Sequence, residues 1–130
     1  MLADANVQPM LPVKDMKGAQ RFYEGTLGLK RVGGEEDTAV VYRSGNTTLC
    51  VYRSEFAGTN KGTAAVWEVD DVDATVKELK SKGVRFEHYP DLGLKVDGDV
   101  HREGDFAVAW LKDPAGNILS VQTKHGPQEH

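Results

Sequence analysis

Glu68 and Trp110 stand in stretches of alternating character, the first a carboxylate within Ala64–Val69 and the second an indole within Phe106–Lys112. A carboxylate at an interior strand position must be paired, solvated or protonated. Glu68 is therefore a candidate general base or an anchor for a cationic ligand, with a partnership to Lys112 as the alternative. The Trp110 indole offers a broad apolar plane and one N–H donor, suited to stacking on an aromatic or amphipathic molecule; the plainer reading is that it fills space. Cys50, the sole cysteine, has no neighbour that would lower its pKa and reads as a small buried thiol. The histidines at 88, 101, 125 and 130 form no His-x-x-x-His or comparable pair, which leaves imidazole catalysis unsupported. His101, in the longest irregular stretch, is the one with a route to a ligand. Asp70, Asp71 and Asp73 are better explained by the attraction of a helix N-terminus for carboxylates than by a cation site. Gly-x-Ser-x-Gly, a phosphate-cradling loop and a dinucleotide fingerprint are all missing, which removes the usual hydrolase, NTPase and nicotinamide readings.

The elements that must position these residues follow from local pattern. Val7–Val13 reads as a short strand, at an edge because Pro9 and Pro12 cannot donate to a ladder. Asp15 is a plausible N-cap for a helix over Met16–Glu24, ended by Gly25 and Gly28. Thr38–Arg43 and Thr47–Arg53, separated by Ser44-Gly45-Asn46, form a hairpin signature. After a loop from Ser54 to Gly62 and a strand Ala64–Val69, Asp71 caps a helix over Val72–Lys82 with Val72, Val76 and Leu79 on one face, and Gly83 closes it. Val84–Tyr89 is extended, and Pro90–Asp105 is predicted as irregular chain, in part a strand or a lid. Phe106–Lys112 and Ile118–Thr123 are strands joined by the turn Asp113-Pro114-Ala115-Gly116-Asn117. The tail from Lys124 to His130 is polar and predicted to fray.

Strand alternation sorts the side chains. One face collects Gln8, Met10, Thr48, Cys50, Tyr52, Ala64, Val66, Glu68, Val108, Trp110, Lys112, Ile118, Ser120 and Gln122. The other collects Leu11, Val13, Leu49, Val51, Trp67, Val69, Leu111, Leu119 and Val121, placed to pack under the helices.

Composition bounds the partners. With 130 residues, 16 Lys+Arg against 20 Asp+Glu and a net charge of −4, the chain makes one domain or two modules sharing a core, and lacks the basic footprint of nucleic-acid binding. A lone cysteine asks for no oxidising compartment, and no apolar run approaches a bilayer span, so a cytoplasmic, soluble, unprocessed protein with no membrane partner is the expectation. The halves repeat: Val13-Lys14-Asp15 and Val69-Asp70-Asp71 each lead into a helix, and each half ends in a hairpin whose turn carries Gly-Asn. The pattern is βαβββ twice, in modules 6–58 and 63–124 of a single domain spanning 1–130.

Leu11-Pro12-Val13-Lys14-Asp15, Phe22-Tyr23-Glu24-Gly25-Thr26-Leu27-Gly28-Leu29, Val69-Asp70-Asp71-Val72-Asp73 and Asp113-Pro114-Ala115-Gly116-Asn117, in that order, resemble the vicinal oxygen chelate superfamily of glyoxalases, bleomycin-resistance proteins and dioxygenases. The resemblance implies an α+β fold in which two βαβββ modules form a cup-shaped mixed sheet with helices outside. It also implies a homodimer, and a small organic molecule held by Gln8, Met10, Thr48, Cys50, Tyr52, Val66, Glu68, Val108, Trp110, Lys112 and Gln122. The superfamily's metal-ligand positions carry over to Gln8, Cys50, Ala64 and Ser120, of which only Gln8 is a residue type used there. The expectation is therefore a binding protein with no metal or other cofactor. The competing expectation is a lyase, isomerase or dioxygenase with unconventional metal ligands or with Glu68 as general base.

Overall fold

A computed structural model describes residues 2–124. The predicted fraying of the tail, with His125 and His130, lies outside the described residues. The chain divides into two compact units: unit 1 runs to Ala64 and adds Asp113–Asn117, and unit 2 comprises Ala65–Lys112 and resumes at Ile118.

Unit 1 follows the predicted βαβββ order. Strand β1 (Met10–Val13) lies parallel to β4 (Thr47–Arg53), which pairs antiparallel with β3 (Ala39–Ser44), and β3 in turn with β2 (Lys30–Glu35). Only the last four residues of the expected first strand join the ladder. The Pro9 carbonyl still accepts from the Cys50 N–H at 2.9 Å, and Pro12 is tolerated because β1 ends the strand order. The β3–β4 turn places Gly45 at φ 57°, the positive first position that a two-residue hairpin loop of this twist requires. Between Arg31 and Gly33 the β2–β3 register shifts at a bulge.

The first helix differs from its prediction. Helix α1 is regular only over Met16–Gln20 and continues as a π-helical turn over Arg21–Thr26. Asp15 occupies the N-cap position, yet its side chain makes no capping bond. The wider turn sets Tyr23 into the core, stacked on Tyr42 at 6.0 Å between ring centroids, and both are fully buried with Leu11, Val13, Val40 and Val51. A buried phenol needs a partner. The Tyr23 hydroxyl donates to Asp113 Oδ2 at 2.7 Å, and Asn117 Nδ2 donates both to that oxygen and to the Pro12 carbonyl, at 2.8 Å each. The Ala115 and Asn117 N–H groups donate to Asp113 Oδ1 at 2.9 and 2.8 Å. The Asp-Pro-Ala-Gly-Asn turn is thus a clasp on Tyr23 and β1.

In unit 2 the strand order is β5 (Thr63–Val69), β10 (Ile118–Thr123), β9 (Phe106–Lys112), β8 (Val100–Glu103), β7 (Lys95–Asp97), with β6 (Phe86–Glu87) also paired to β9. The order β5-β10-β9-β8 repeats β1-β4-β3-β2 of unit 1, so β8 occupies the place that the sequence pattern assigned to Val84–Tyr89. Within the stretch Pro90–Asp105, for which the sequence allowed a partial strand, two strands form, the β7–β8 hairpin, turned at Gly98 with φ 66°. Helix α2 (Val72–Ser81) buries Val72, Val76 and Leu79 as expected, and Asp71 caps it by accepting from the Ala74 N–H at 3.0 Å. Trp67, expected to be core, is half-buried, while Leu111 and Leu119 are sealed inside.

Candidate functional site

Unit 2 presents one sheet face on which chemistry-bearing side chains converge. Cross-strand partners project to the same side. The register therefore sets Glu87, Trp110 and Ser120 in one row and His101, Val108 and Gln122 in the next, with Lys112 beside Ile118. Trp110 is half-buried among aromatic rings, its centroid 5.1 Å from that of Tyr89 and 4.9 Å from that of His101, both in edge-to-face geometry. Glu87 and Lys112 form a loose ion pair at 3.9 Å. The result is an aromatic plane flanked by one pair of opposite charges and one amide, Gln122.

His101 is the best-defined group on this face. It is fully buried, and its Nε2 accepts the Tyr89 backbone N–H at 2.9 Å. Because Nε2 accepts, the neutral ring carries its proton on Nδ1, which has no partner among the described residues. Burial pushes the imidazole below its ordinary pKa and the nearby His88 pushes the same way, with the Val108 backbone offsetting part of the effect. Beside it, His88 Nε2 lies 2.8 Å from Asp99 Oδ1, and Asp99 also takes Lys80 at 2.6 Å. The bonds from Lys80 and His88 hold the Asp99 carboxyl below the usual carboxylate range.

The sequence-derived candidates fall into the two units. In unit 2, Val108 is buried, Trp110 and Gln122 are half-buried, and Lys112 is exposed. Val66 and Glu68 are exposed at alternate positions of β5; the Glu68 carboxylate makes no hydrogen bond or ion pair among the described residues, and the carboxylate that Lys112 meets belongs to Glu87. In unit 1, Met10 is exposed opposite Cys50, Gln8 donates to Thr48 Oγ1 at 2.9 Å, and Tyr52 is half-buried beside Pro12. Cys50 is buried, and burial raises its thiol pKa. Glu87 and Tyr89 escaped the sequence reading, and His101 was assigned to a loop. The Gly98-Asp99 pair was the available signal, since a two-residue hairpin loop there places His101 on a strand.

The donor set at the positions carried over for a metal does not suit a divalent ion. Gln8 is tied to Thr48, Cys50 is a buried thiol with a raised pKa, Ala64 has no donor, and Ser120 is a buried hydroxyl. Hard divalent ions take several oxygen or imidazole ligands. No three His, Cys, Asp or Glu side chains among the described residues gather closely enough to hold an ion.

Residues 7–121 match the family model of the Glyoxalase/Bleomycin resistance protein/Dioxygenase superfamily. None of the curated proteins matches the chain. Among solved structures, a lactoylglutathione lyase from Agrobacterium tumefaciens is similar at 20% identity and a TM-score of 0.70, covering 92% of this chain and 93% of its own. A bleomycin-binding protein from bleomycin-producing Streptomyces verticillus, complexed with copper(II)-bleomycin, is similar at 21% identity and 0.69, covering 96% and 100%. An antibiotic-binding protein from Streptomyces sp. CB03234 is similar at 19% identity and 0.64, covering 94% and 98%. These likenesses establish the fold.

Proposed function

The chain belongs to the Glyoxalase/Bleomycin resistance protein/Dioxygenase superfamily, and from that membership we propose that it binds a small organic molecule on the Trp110 face without a divalent metal. The observation that carries this reading is the aromatic plane of Trp110, half-buried and edged by Tyr89 and His101, with the Glu87–Lys112 pair and Gln122 close by. Such a combination binds by stacking and orients by a few polar contacts. Val66 and Val108 add apolar surface, and Glu68 gives a cationic group a carboxylate to meet. The fold shared with a bleomycin-binding and an antibiotic-binding protein supports sequestration as the role, and the unsuitable metal donors support binding over metal-dependent chemistry. In this reading the modules 6–58 and 63–124 act as one domain, in the cytoplasm and as a homodimer, in keeping with the single cysteine and the superfamily's habit.

Native mass spectrometry of protein purified without chelators, followed by a thermal-shift screen of planar aromatic and amphipathic cationic compounds, tests it. The expected result is a metal-free dimer that at least one compound stabilises; saturation at about 100 times Kd gives roughly 2.7 kcal/mol. Trp110→Ala removes that stabilisation while the unliganded protein still unfolds cooperatively. A stoichiometric metal whose removal abolishes binding overturns the proposal, as does a hit whose effect survives the loss of Trp110.

A further inference from the structure

The segment between β6 and the turn Pro90–Leu92 brings the Tyr89 ring onto Trp110. The Tyr89 N–H donates to His101 Nε2, and His88 meets Asp99. Through the first bond the Tyr89 ring is kept edge-on against Trp110. We propose that His101 is an acid-sensitive latch: its neutral ring holds Tyr89 against Trp110, and its protonation releases Tyr89 from that face.

The geometry makes the latch one-sided. A protonated His101 turns Nε2 from acceptor to donor, so two N–H groups then face each other across 2.9 Å. Little is gained in exchange: Nδ1 makes no hydrogen bond among the described residues, and the Val108 backbone favours the charged ring by less than burial and His88 disfavour it. No surrounding element supplies a free counter-charge. On β7 the cross-strand neighbour is Val96, and on β9 the neighbours are Val108 and Trp110. On the segment itself His88 stands 6.3 Å away, ring to ring, and its effect on His101 is to favour the neutral ring. Glu87 pairs with Lys112. Asp99 is already engaged by His88 and by Lys80 of α2, and Arg102, next in sequence, is paired with Asp73 and Asp97. Burial and His88 both favour the neutral ring, so the latch stays closed at neutral pH and opens below the ordinary histidine value of 6.5. The consequence for ligands rests on the function proposed above: opening removes the Tyr89 wall from the stacking surface. The latch itself is testable without ligand, so its failure is separable from failure of that reading.

The experiment follows three signals in full-length protein between about pH 7.5 and 4.5: the His101 ring resonances, the Tyr89 amide exchange rate, and Trp110 fluorescence in a Trp67→Phe background. We expect the Tyr89 protection factor, taken against the intrinsic exchange rate at each pH, to fall by about tenfold or more and Trp110 emission to shift, both with the His101 midpoint below 6.5. His101→Gln, whose Oε1 accepts the Tyr89 N–H at any pH, abolishes the transition. His88→Gln moves the midpoint upward by removing the neighbouring charge, and decides the matter if His101→Gln does not fold. Titration of His101 without a change at Tyr89, no titration down to the lowest pH, an unmoved midpoint in His88→Gln, or simultaneous loss of protection at Leu111 and Leu119 overturns the latch.

Discussion

Asp113 shows how one side chain anchors distant chain. It is buried and accepts four hydrogen bonds, from Tyr23, Ala115 and twice from Asn117. Removing one partner of a buried bond costs more than the bond contributes, because the survivor stays desolvated. Tyr23→Phe is expected to cost about 1–2 kcal/mol in urea unfolding, and Asp113→Ala about 3 kcal/mol or more, since it leaves several donors unmet. Equal, small losses in both would show that water replaces the carboxylate. The Asp-Pro-Ala-Gly-Asn turn was legible from its residues, but the clasp was not: Tyr23 lies 90 positions away, and nothing local marks which core phenol the carboxylate meets. The sheet face that Trp110 shares with Ser120 was legible in the same partial way. Its alternation was plain, whereas Tyr89 reaches it from a short segment that no periodicity identifies.

At the scale of elements, the two helix starts look alike in sequence and differ in chemistry. Asp71 caps α2 through its side chain and Asp15 makes no such bond to α1. Asp71→Ala is therefore expected to lower stability by about 1 kcal/mol, and Asp15→Ala by less than about 0.5, by thermal or urea denaturation. Cap propensity reads both positions as capable, and only the local geometry separates them. The strands with clean alternation, β3, β4, β9 and β10, appeared where the pattern put them to within a residue. Misread elements had physical reasons. The π-helical turn over Arg21–Thr26 keeps the apolar spacing of an α-helix, and the β7–β8 hairpin, allowed only as a partial strand, mixes charged residues of weak strand propensity with Val96, Val100 and His101.

For the molecule as a whole, the shifted groups define a stability plateau. His101 is depressed, so its contribution is full above 6.5 and declines as pH falls below it; Asp99 and Glu24, also depressed, lose theirs further down, as pH falls through their folded values. Tyr23, Tyr42 and Cys50 are raised by burial first of all, so the native state loses ground once the unfolded chain ionises, above 9.0 for the thiol and 10.0 for the phenols. The urea midpoint is expected to be flat between about pH 7 and 9 and to fall on both sides, with Asp99→Asn reducing the acid limb and Tyr23→Phe the alkaline one. Unchanged limbs in both variants would contradict this assignment. The four-stranded sheet of unit 1 carries one more consequence. One end strand, β1, carries Pro12 and follows directly on Pro9; the other, β2, is bulged at Arg31–Gly33 and bears Lys30, Arg31 and Glu35. A foreign strand therefore meets missing donors on one side and a kinked, charged ribbon on the other, which makes the sheet a poor template for cross-β aggregation at high concentration.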